Sequence, residues 1–447
     1  MKKFLAVVFH MLAFGYAVSN GQNVTLLGSL NQYPGTSYTD VWGYEAGGRE
    51  YAFIGITGGT SIIDVTDPAN PEEIVFIQGP TAPPYEWRDF KTHSNYLYVT
   101  SEGNGTGSGL QIIDLSQLPD TAFLVNTFNQ TFTSAHNLYI ADGFAYVVGT
   151  SQGGMHILDL SNPTNPVQVG YYGASGYVHD VYVWNDTAYV SSANTYDLVN
   201  LTNKSNPQLI SQSAVLPGIY AHSGWLTEDK RYFIACEEFN VRDITIWDLQ
   251  DRSSWDIIEQ GWQMTGSSPV HNVFVLGNYA HISYYTSGYV VLDISDPSSP
   301  QFAGQYDTYP QNNGANYDGA WGCYPYLPSG NVLVSDMSTG LYIVNFTPPA
   351  TSIEDENSTP SGFSLEQNYP NPFNPNTRIK FTIKNSGFVT LKVYNGIGQE
   401  IIALISEEKF AGTYEVNFNA SELPSGVYFA KLTSGNQTYI IKMSLLK

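Results

Sequence analysis

Short apolar runs alternate with polar turns through the first 350 residues, and one phrase recurs seven times. Its clearest copy is a strand-like run at 155–160 that contains Asp159, followed by a turn with two prolines at 161–166. The other copies centre on Asp64, Asp114, Asn200, Asp248, Asp293 and Asn345, at intervals of 41–52 residues. Several short strands repeated at this interval are typical of a β-propeller, so the pattern predicts an all-β domain with seven blades.

The third repeat shows the four strands predicted for each unit, at residues 135–140, 145–148, 155–160 and 167–172. Glycine and Asp-Gly turns separate these β-branched and aromatic runs, which is a hairpin pattern. We expect the first strand of each repeat to face the propeller axis and the fourth to lie on the outside.

The two ends of the repeat region complement each other. Six repeats have an outer strand after the recurrent phrase, but residues 347–349, Thr-Pro-Pro, end the seventh. A spare strand of the same type stands near the N-terminus, at residues 23–30. We therefore predict that this segment pairs with the strand around Tyr342 and closes the ring, which leaves no long exposed sheet edge.

The recurrent Asp or Asn is predicted to have a local role. These side chains accept hydrogen bonds from backbone N–H groups two residues later and so nucleate turns. Asn at two of the seven positions keeps this bond without the charge, which argues against a repeated metal ligand. Cys236 and Cys323 fall in the fifth and seventh repeats. Because a disulfide needs Cα atoms within about 7 Å, we expect two buried free thiols.

The flanking segments differ from the repeats. A basic start and an apolar run predict a secretory signal peptide at residues 1–21, and no later run is long enough to span a membrane. The repeats then occupy residues 22–347, and a polar, Pro-containing segment at 348–363 is predicted to be a flexible linker. Alternating strands in residues 364–447 predict a small immunoglobulin-like β-sandwich.

The acidic charge lies almost entirely in the repeat region. Residues 351–447 contain 8 Lys and Arg against 9 Asp and Glu, so the first 350 residues contain 10 against 31. A body with a net charge of −21 repels phosphate backbones, and nucleic acid is therefore not an expected partner.

Polar residues recur where the inner strands begin, and four repeats have histidine there. Equal register would place these groups in a ring around the axis. They could hold a divalent transition metal or, when protonated, grip an anionic ligand. Alternatively, they satisfy one another and water in a polar channel. The candidate axial residues are Asp40, Arg88, Asp89, His136, His179, Asp180, His222, His271 and Asp318.

Three further acids are candidates for one rim of the propeller. Glu102 and the pair Glu237-Glu238 could lie in loops at one rim, where acids of such an acidic protein are usually solvated. The sequence contains no HExxH motif, no Walker loop and no GxSxG motif in a strand–turn–helix setting.

The recurrent phrase resembles the LVIVD repeat, for example at residues 62–65, 157–160 and 291–294. Residues 22–347 together resemble the choice-of-anchor B family of exported bacterial propellers, and residues 87–89 and 179–181 are similar to that family's inner-strand openings. The resemblance implies a β-propeller with a variable C-terminal anchoring module and no settled biochemical activity.

The C-terminal region resembles the type A sorting domain of the type IX secretion system. Residues 393–400 and 425–429 support the resemblance. It implies export by the Sec route, passage of the outer membrane through the type IX machinery, removal of the domain, and surface attachment or release. Its most specific segment is the sorting motif Asn368, Tyr369, Pro370, Asn371, Pro372 and Phe373.

These features together predict a seven-bladed propeller followed by a small sandwich, secreted or attached to the outer-membrane surface after signal peptide removal. We expect a non-enzymatic binding module for an unidentified extracellular ligand, since loops of all blades converge on the propeller face. The alternative is an extracellular hydrolase or lyase that acts through the His and Asp ring.

Overall fold

The computed structural model divides the chain into two compact units, residues 1–350 and 351–447. The predicted signal peptide, apart from Gly21, and linker residues 350–362 lie outside the described residues. Every regular element in the described ranges is a β-strand, and within them no helix is long and apolar enough to cross a membrane. The described residues are 21–80, 82–83, 87–215, 218, 220–239, 242–349, 363–368, 370–383, 387–396, 398–409, 412–421, 423–435 and 437–446.

The first unit contains seven four-stranded antiparallel sheets. The strands up to residue 128 are β1 (Val24–Leu30), β2 (Tyr38–Ala46), β3 (Arg49–Ile56), β4 (Gly59–Asp64), β5 (Glu72–Gln78), β6 (Arg88–His93), β7 (Tyr96–Ser101), β8 (Leu110–Asp114) and β9 (Phe123–Phe128). The next are β10 (Asn137–Ala141), β11 (Phe144–Val148), β12 (Met155–Asp159), β13 (Val167–Tyr172), β14 (Asp180–Trp184), β15 (Thr187–Ser191), β16 (Tyr196–Asn200) and β17 (Gln208–Gln212). The remainder are β18 (Ala221–Leu226), β19 (Tyr232–Glu237), β20 (Ile244–Asp248), β21 (Asp256–Trp262), β22 (Val273–Leu276), β23 (Tyr279–Ser283), β24 (Tyr289–Asp293), β25 (Gln301–Tyr306), β26 (Ala320–Tyr324), β27 (Asn331–Asp336) and β28 (Gly340–Phe346).

Each sheet uses four consecutive strands except the last. Sheets 1 to 6 are β2–β5, β6–β9, β10–β13, β14–β17, β18–β21 and β22–β25, and sheet 7 combines β26–β28 with β1. The first strand of each sheet contacts the first strand of the next, and β26 contacts β2. The inner strands therefore surround a common axis, and the arrangement is propeller-like.

Burial follows the position of a strand within its sheet. Met155, Ile157 and Leu158 of β12 are buried, because neighbouring sheets cover both faces of a middle strand. Val167 and Tyr171 of the outer strand β13 are exposed. The apolar faces of adjacent sheets form the core, and both cysteines lie within it as buried free thiols, as predicted.

The first strand closes the ring. Antiparallel pairing joins β1 to β28, with Leu26 opposite Val344 and Ser29 opposite Tyr342, so the predicted pairing of the two ends is confirmed. One residue earlier, Asn23 donates a side-chain hydrogen bond of 2.7 Å to the Ala303 carbonyl in sheet 6. The N-terminal strand thus contacts two sheets rather than one.

Six of the seven recurrent Asp and Asn residues close turns, as predicted. The Asp64 carboxylate accepts the Thr66 N–H at 2.9 Å, and the same bond to the residue two positions later recurs in the next five repeats. These bonds use the side chain locally, which explains why Asn200 replaces the carboxylate without loss of the turn.

A feature that the sequence did not reveal is a β-bulge at the same place in each outer strand. In two sheets the residue after the bulge is a glycine whose backbone closely approaches the turn after the third strand of the next sheet, Gly28 at Pro68 and Gly170 at Lys204. In sheets 2 and 4 a hydrogen bond makes this contact, from Asn126 to Thr164 and from Ser211 to Arg252. The bulged residues are Leu27, Ile74, Val125, Val169, Ile210, Ile258 and Ala303.

The second unit consists of a three-stranded sheet, β29-β30-β33, and a four-stranded sheet, β32-β31-β34-β35, around one apolar core. The alternating strands predicted for this region are therefore present. The strands are β29 (Ser364–Leu365), β30 (Asn376–Ile383), β31 (Gly387–Asn395), β32 (Glu400–Lys409), β33 (Gly412–Asn419), β34 (Gly426–Ser434) and β35 (Gln437–Leu445).

The sorting motif is a packed turn at the edge of this unit. Phe373 is buried and its backbone N–H bonds the Ser444 carbonyl at 2.9 Å, while the Asn371 side chain accepts the Ser444 N–H. Asn368 is buried and donates to Thr377. Tyr369 lies outside the described residues. These contacts join the motif to β30 and to the last strand, β35.

Candidate functional site

Six aromatic rings form an arc around the axis, here called the aromatic belt. Consecutive ring centres from His136 to Trp321 lie 4.1–4.5 Å apart, and Trp321 stacks on Trp87 at 4.7 Å. The rings line a cavity of about 10 Å³, too small for more than a single water or ion. The members of the belt are Trp87, His136, His179, His222, His271 and Trp321.

The belt exists because equivalent residues open the inner strands. The four predicted histidines each lie just before or within the first strand of sheets 3 to 6, and Trp321 holds the same position in β26. The structure therefore brings these histidines together. The two tryptophans were missed because an apolar ring at a strand start is indistinguishable in sequence from a core residue.

Two predicted residues take other positions. Arg88 borders the belt cavity, but its guanidinium donates to the backbone carbonyls of Ile56 and Pro80 at 2.7 and 2.8 Å. Asp318 precedes β26, bonds the Asn316 side chain, and lines neither axial cavity. At the equivalent position of the seventh repeat, Trp321 stands where Asp318 was expected.

A second level, here called the oxygen chamber, is formed by the residues that follow the histidines and by residues at the equivalent positions of sheets 1 and 2. Asp40, Asp89 and Asp180 line this cavity of about 30 Å³ together with Lys91. The Lys91 ammonium lies 2.8 Å from Asp89 Oδ1 and over the Trp42 ring. The structure thus separates the predicted ring into a nitrogen-rich and an oxygen-rich level. The other polar lining residues of the chamber are Asn137, Ser223 and Asn272.

Hydrogen bonds fix the orientation of the belt histidines. Nδ1 of His179 lies 3.2 Å from the His222 carbonyl, and Nδ1 of His271 lies 2.5 Å from the Trp321 carbonyl. A carbonyl accepts only, so both Nδ1 atoms carry the proton and both Nε2 atoms are free lone pairs. Within the described residues, His271 Nε2 and His222 Nδ1 are buried without a hydrogen-bond partner.

Burial keeps most of these imidazoles neutral. It lowers the pKa of His271 to about 3 and, with the charge of His136, lowers the pKa of His179 well below its usual value. Burial and the neighbouring His179 also lower the pKa of His222. His136 is the exception: burial is the largest influence and opposes its charge, but the 2.6 Å hydrogen bond to Glu102 and the charges of Glu102, Asp89 and Asp180 together outweigh burial and raise the pKa of His136.

Two loop carboxylates reach the belt from one side. Glu102 bonds His136, and Glu238 lies 3.8 Å from His222 Nε2. One candidate ligand atom from each of His179, His222 and Glu238 lies within 4.8 Å of the others. Burial raises the pKa of Glu238, while a 2.8 Å hydrogen bond from Tyr285 favours its charged form.

Aromatic side chains surround this carboxylate side, which we call the aromatic mouth. Its outer members Tyr177, Phe239 and Tyr317 are 45%, 49% and 43% exposed. Tyr220 packs between His179 and Phe239, and Tyr285 packs between His271 and Tyr317. The mouth therefore presents apolar ring faces to solvent next to three candidate ligand atoms, a combination typical of ligand sites.

The carboxylates of the oxygen chamber disfavour one another's charges. Burial, and then the charge of Asp89, raises the pKa of Asp180 to about 7 and that of Asp40 well above its usual value. Burial also opposes the charge of Lys91, but the carboxylates of Asp89 and Asp40 outweigh it and raise the pKa of Lys91. The chamber is thus a buried acidic pocket with one internal cation.

His281 provides a test of how burial couples to stability. It lies outside the belt, 2.5 Å from the Tyr289 hydroxyl, and burial lowers its pKa to about 3. An unfolded imidazole binds a proton below about pH 6.5, whereas the folded one does not until about pH 3, so falling pH across this window stabilises the unfolded state. In urea titrations, the unfolding free energy of the wild type should fall as pH falls through this window, and His281 should account for about 1.4 kcal/mol of that fall per pH unit. The His281→Phe variant should lack this part of the fall. Tyr289→Phe keeps the imidazole and should retain the full slope, and equal slopes in all three proteins would contradict the prediction.

Sequence comparisons identify both modules. Residues 46–77, 133–173, 175–214 and 269–308 match the LVIVD repeat, and residues 367–445 match the secretion system C-terminal sorting domain. The predictions of LVIVD repeats and of a sorting domain are confirmed. A sorting domain of this kind implies handling by the secretion machinery and export to the cell surface or to the medium. No curated protein matches this chain in sequence.

Solved structures show similarity of fold. The β-propeller domain of Cps50 (Swd1) from Myceliophteria thermophila has a TM-score of 0.51 at 10% identity, over 73% of this chain and 100% of that one. The periplasmic gluconolactonase PpgL of Pseudomonas aeruginosa has a TM-score of 0.51 at 12% identity, over 85% and 99%. PorZ, a surface component of the type IX secretion system of Porphyromonas gingivalis, has a TM-score of 0.48 at 13% identity over 92% of this chain, which spans 60% of PorZ.

Proposed function

We propose that this chain is an exported propeller that binds its extracellular ligand over the aromatic mouth, with a divalent transition metal held by His179, His222 and Glu238. The observation that carries the proposal is the convergence of these three ligand atoms within 4.8 Å of one another. They come from three separate loop and strand positions, so chain proximity does not explain their convergence.

The surroundings suit a metal. The proton on His179 Nδ1 is held by the His222 carbonyl, which leaves Nε2 as the ligand atom, and such second contacts commonly orient metal-bound histidines. Two imidazoles and one carboxylate match the preferences of zinc and its neighbours. Three protein ligands leave one tetrahedral position for an external ligand, and Tyr177 and Tyr317 would pack against that ligand.

Metal analysis of the full chain tests this proposal. Protein purified without chelators should contain close to one equivalent of a transition metal, and Glu238→Gln and His222→Ala should each weaken metal affinity more than about tenfold. Glu228→Gln, a change of the same type at an exposed position, should retain the metal. Less than about a tenth of an equivalent of any metal in wild-type protein, with none regained on addition of zinc, would refute the site.

One observation favours a second function, an extracellular hydrolase or lyase. The Glu102–His136 pair lies beside His179, where it could act as a general base toward a metal-bound ligand. An enzyme predicts turnover that His179→Ala abolishes without a change in melting temperature. A binding module predicts a retained ligand without turnover.

We also propose the number of blades, the family and the domain limits. We infer seven blades from the seven four-stranded sheets, and membership of the choice-of-anchor B family from the repeats and the sorting tail. The domain limits we propose are a signal peptide at 1–21, the propeller at 22–347, a linker at 348–363 and an immunoglobulin-like sorting sandwich at 364–447. Removal of the two end segments would leave a propeller that is attached to the surface or released.

A further inference from the structure

The oxygen chamber has a repeated side-chain geometry. Oδ1 of Asp89, Asn137 and Asp180 each accepts the backbone N–H of the next residue, at 2.8, 2.6 and 2.5 Å. This bond ties one terminal atom of each side chain to its own strand. The other terminal atom of each side chain takes no part in that bond, and all three residues line the chamber.

A buried oxygen without a partner points to a missing ligand. Asn272 is 9% exposed, lines the chamber, and its Oδ1 accepts no hydrogen bond from any described residue. An unsatisfied buried carbonyl costs about 1–3 kcal/mol, so such atoms usually contact water or an ion. The amide oxygen is the kind of neutral ligand that completes a carboxylate site.

The sheet next to Asp40 has a glycine instead of a side chain where the Asp40 carboxylate lies. A Cβ atom built at Gly322 would lie 2.2 Å from Asp40 Oδ1. Gly322 occupies the seventh position of this level, where every other sheet has a polar side chain. The missing side chain therefore leaves room for a carboxylate that would otherwise clash.

We propose that the oxygen chamber binds one hard divalent cation, Ca²⁺, through Asp40, Asp180 and Asn272. Lys91 pairs with Asp89, so the two remaining carboxyl groups would supply a charge of −2 on binding a divalent ion, which would displace their protons. A volume of about 30 Å³ holds one ion with one water. Carboxylate and amide oxygens are the ligands that Ca²⁺ prefers.

This site is independent of the metal proposed at the mouth. Asp89, Asn137 and Asn272 border both the belt cavity and the chamber, so the two levels are adjacent along the axis. The imidazoles of the belt select softer transition metals, whereas the chamber offers only oxygen. The axis would therefore hold two different cations at two levels.

Calcium binding by the chelator-treated full chain tests the proposal. Calorimetry should give one equivalent of Ca²⁺, and the melting temperature should rise with Ca²⁺ concentration. Asp40→Asn with Asp180→Asn should weaken Ca²⁺ binding at least tenfold, while Glu228→Gln, at an exposed position, should leave it unchanged. Calcium binding that is unaffected by the double substitution, or absent in the wild type, overturns the proposal.

A second measurement needs no variant. Tb³⁺ replaces Ca²⁺ in many oxygen sites, and Trp225, which lines the chamber, should sensitise its luminescence. The expected result is an emission that saturates at one equivalent and is displaced by Ca²⁺ but not by Zn²⁺. Emission that Ca²⁺ does not displace, or that rises without saturation as on a generally acidic surface, overturns the proposal even if the double variant does not fold.

Discussion

A chain that lacks residues 22–31 should aggregate or lose its cooperative unfolding transition. Strand β1 supplies the fourth strand of sheet 7, and its removal would expose the edge of β28 along six paired positions. Exposed edges of this kind pair with other chains. The deletion would also remove Val24, which is buried, and the Asn23 bond to Ala303 in sheet 6.

Size-exclusion chromatography and thermal melts of the deleted chain check this expectation. A peptide of residues 22–31 added in trans should restore a monomeric, cooperatively melting protein, because it can pair with the free edge of β28. A scrambled peptide of the same composition is the control. A deleted chain that stays monomeric and melts like the wild type would show that β1 does not close the ring.

Gly170→Ala should destabilise the propeller by about 2–4 kcal/mol. A Cβ atom at this position would lie 1.8 Å from the Lys204 carbonyl oxygen, so the contact between sheets 3 and 4 would have to open. Backbone conformation does not oppose alanine here, since Gly170 is not among the glycines with positive φ. The loss of unfolding free energy would therefore report how closely the two backbones approach each other.

Ser211→Ala is the matched control, at the equivalent position of the next sheet. It already has a Cβ atom and would lose only the 2.8 Å bond to the Arg252 carbonyl, worth about 1 kcal/mol. Chemical denaturation of both variants beside the wild type gives the comparison. Equal stability of Gly170→Ala and the wild type would mean that the two sheets are not in tight contact at the bulge.

Local patterns in the sequence predict much of the architecture. The regular recurrence of positions such as Asp64, Asp159 and Asp293 indicates the repeat, because each copy marks one strand and the turn that closes it. The missing outer strand after Asn345 indicates the role of residues 23–30. These inferences succeed because hydrogen-bonded hairpins and Asx turns depend on neighbours within a few residues.

Only part of the candidate site can be predicted from the sequence. Histidines at equal positions in four repeats indicate His136, His179, His222 and His271, and the structure brings them together. Glu238 is recognisable in the sequence as a rim acid but is not assigned to the site. It follows strand β19, and nothing in its local pattern distinguishes a solvated acid from one that points inward.

The order of residues alone specifies which segments form strands, how often they repeat and which residues can lie near the axis. Packing between the sheets places histidines and carboxylates on separate levels, adds Trp87 and Trp321 to the belt, and brings Gly28 and Gly170 against the next sheet. The reason is that strand formation depends on local hydrogen bonding and alternation, whereas these contacts join residues from different sheets. Their distances follow from how seven sheets pack around one axis, which no single repeat encodes.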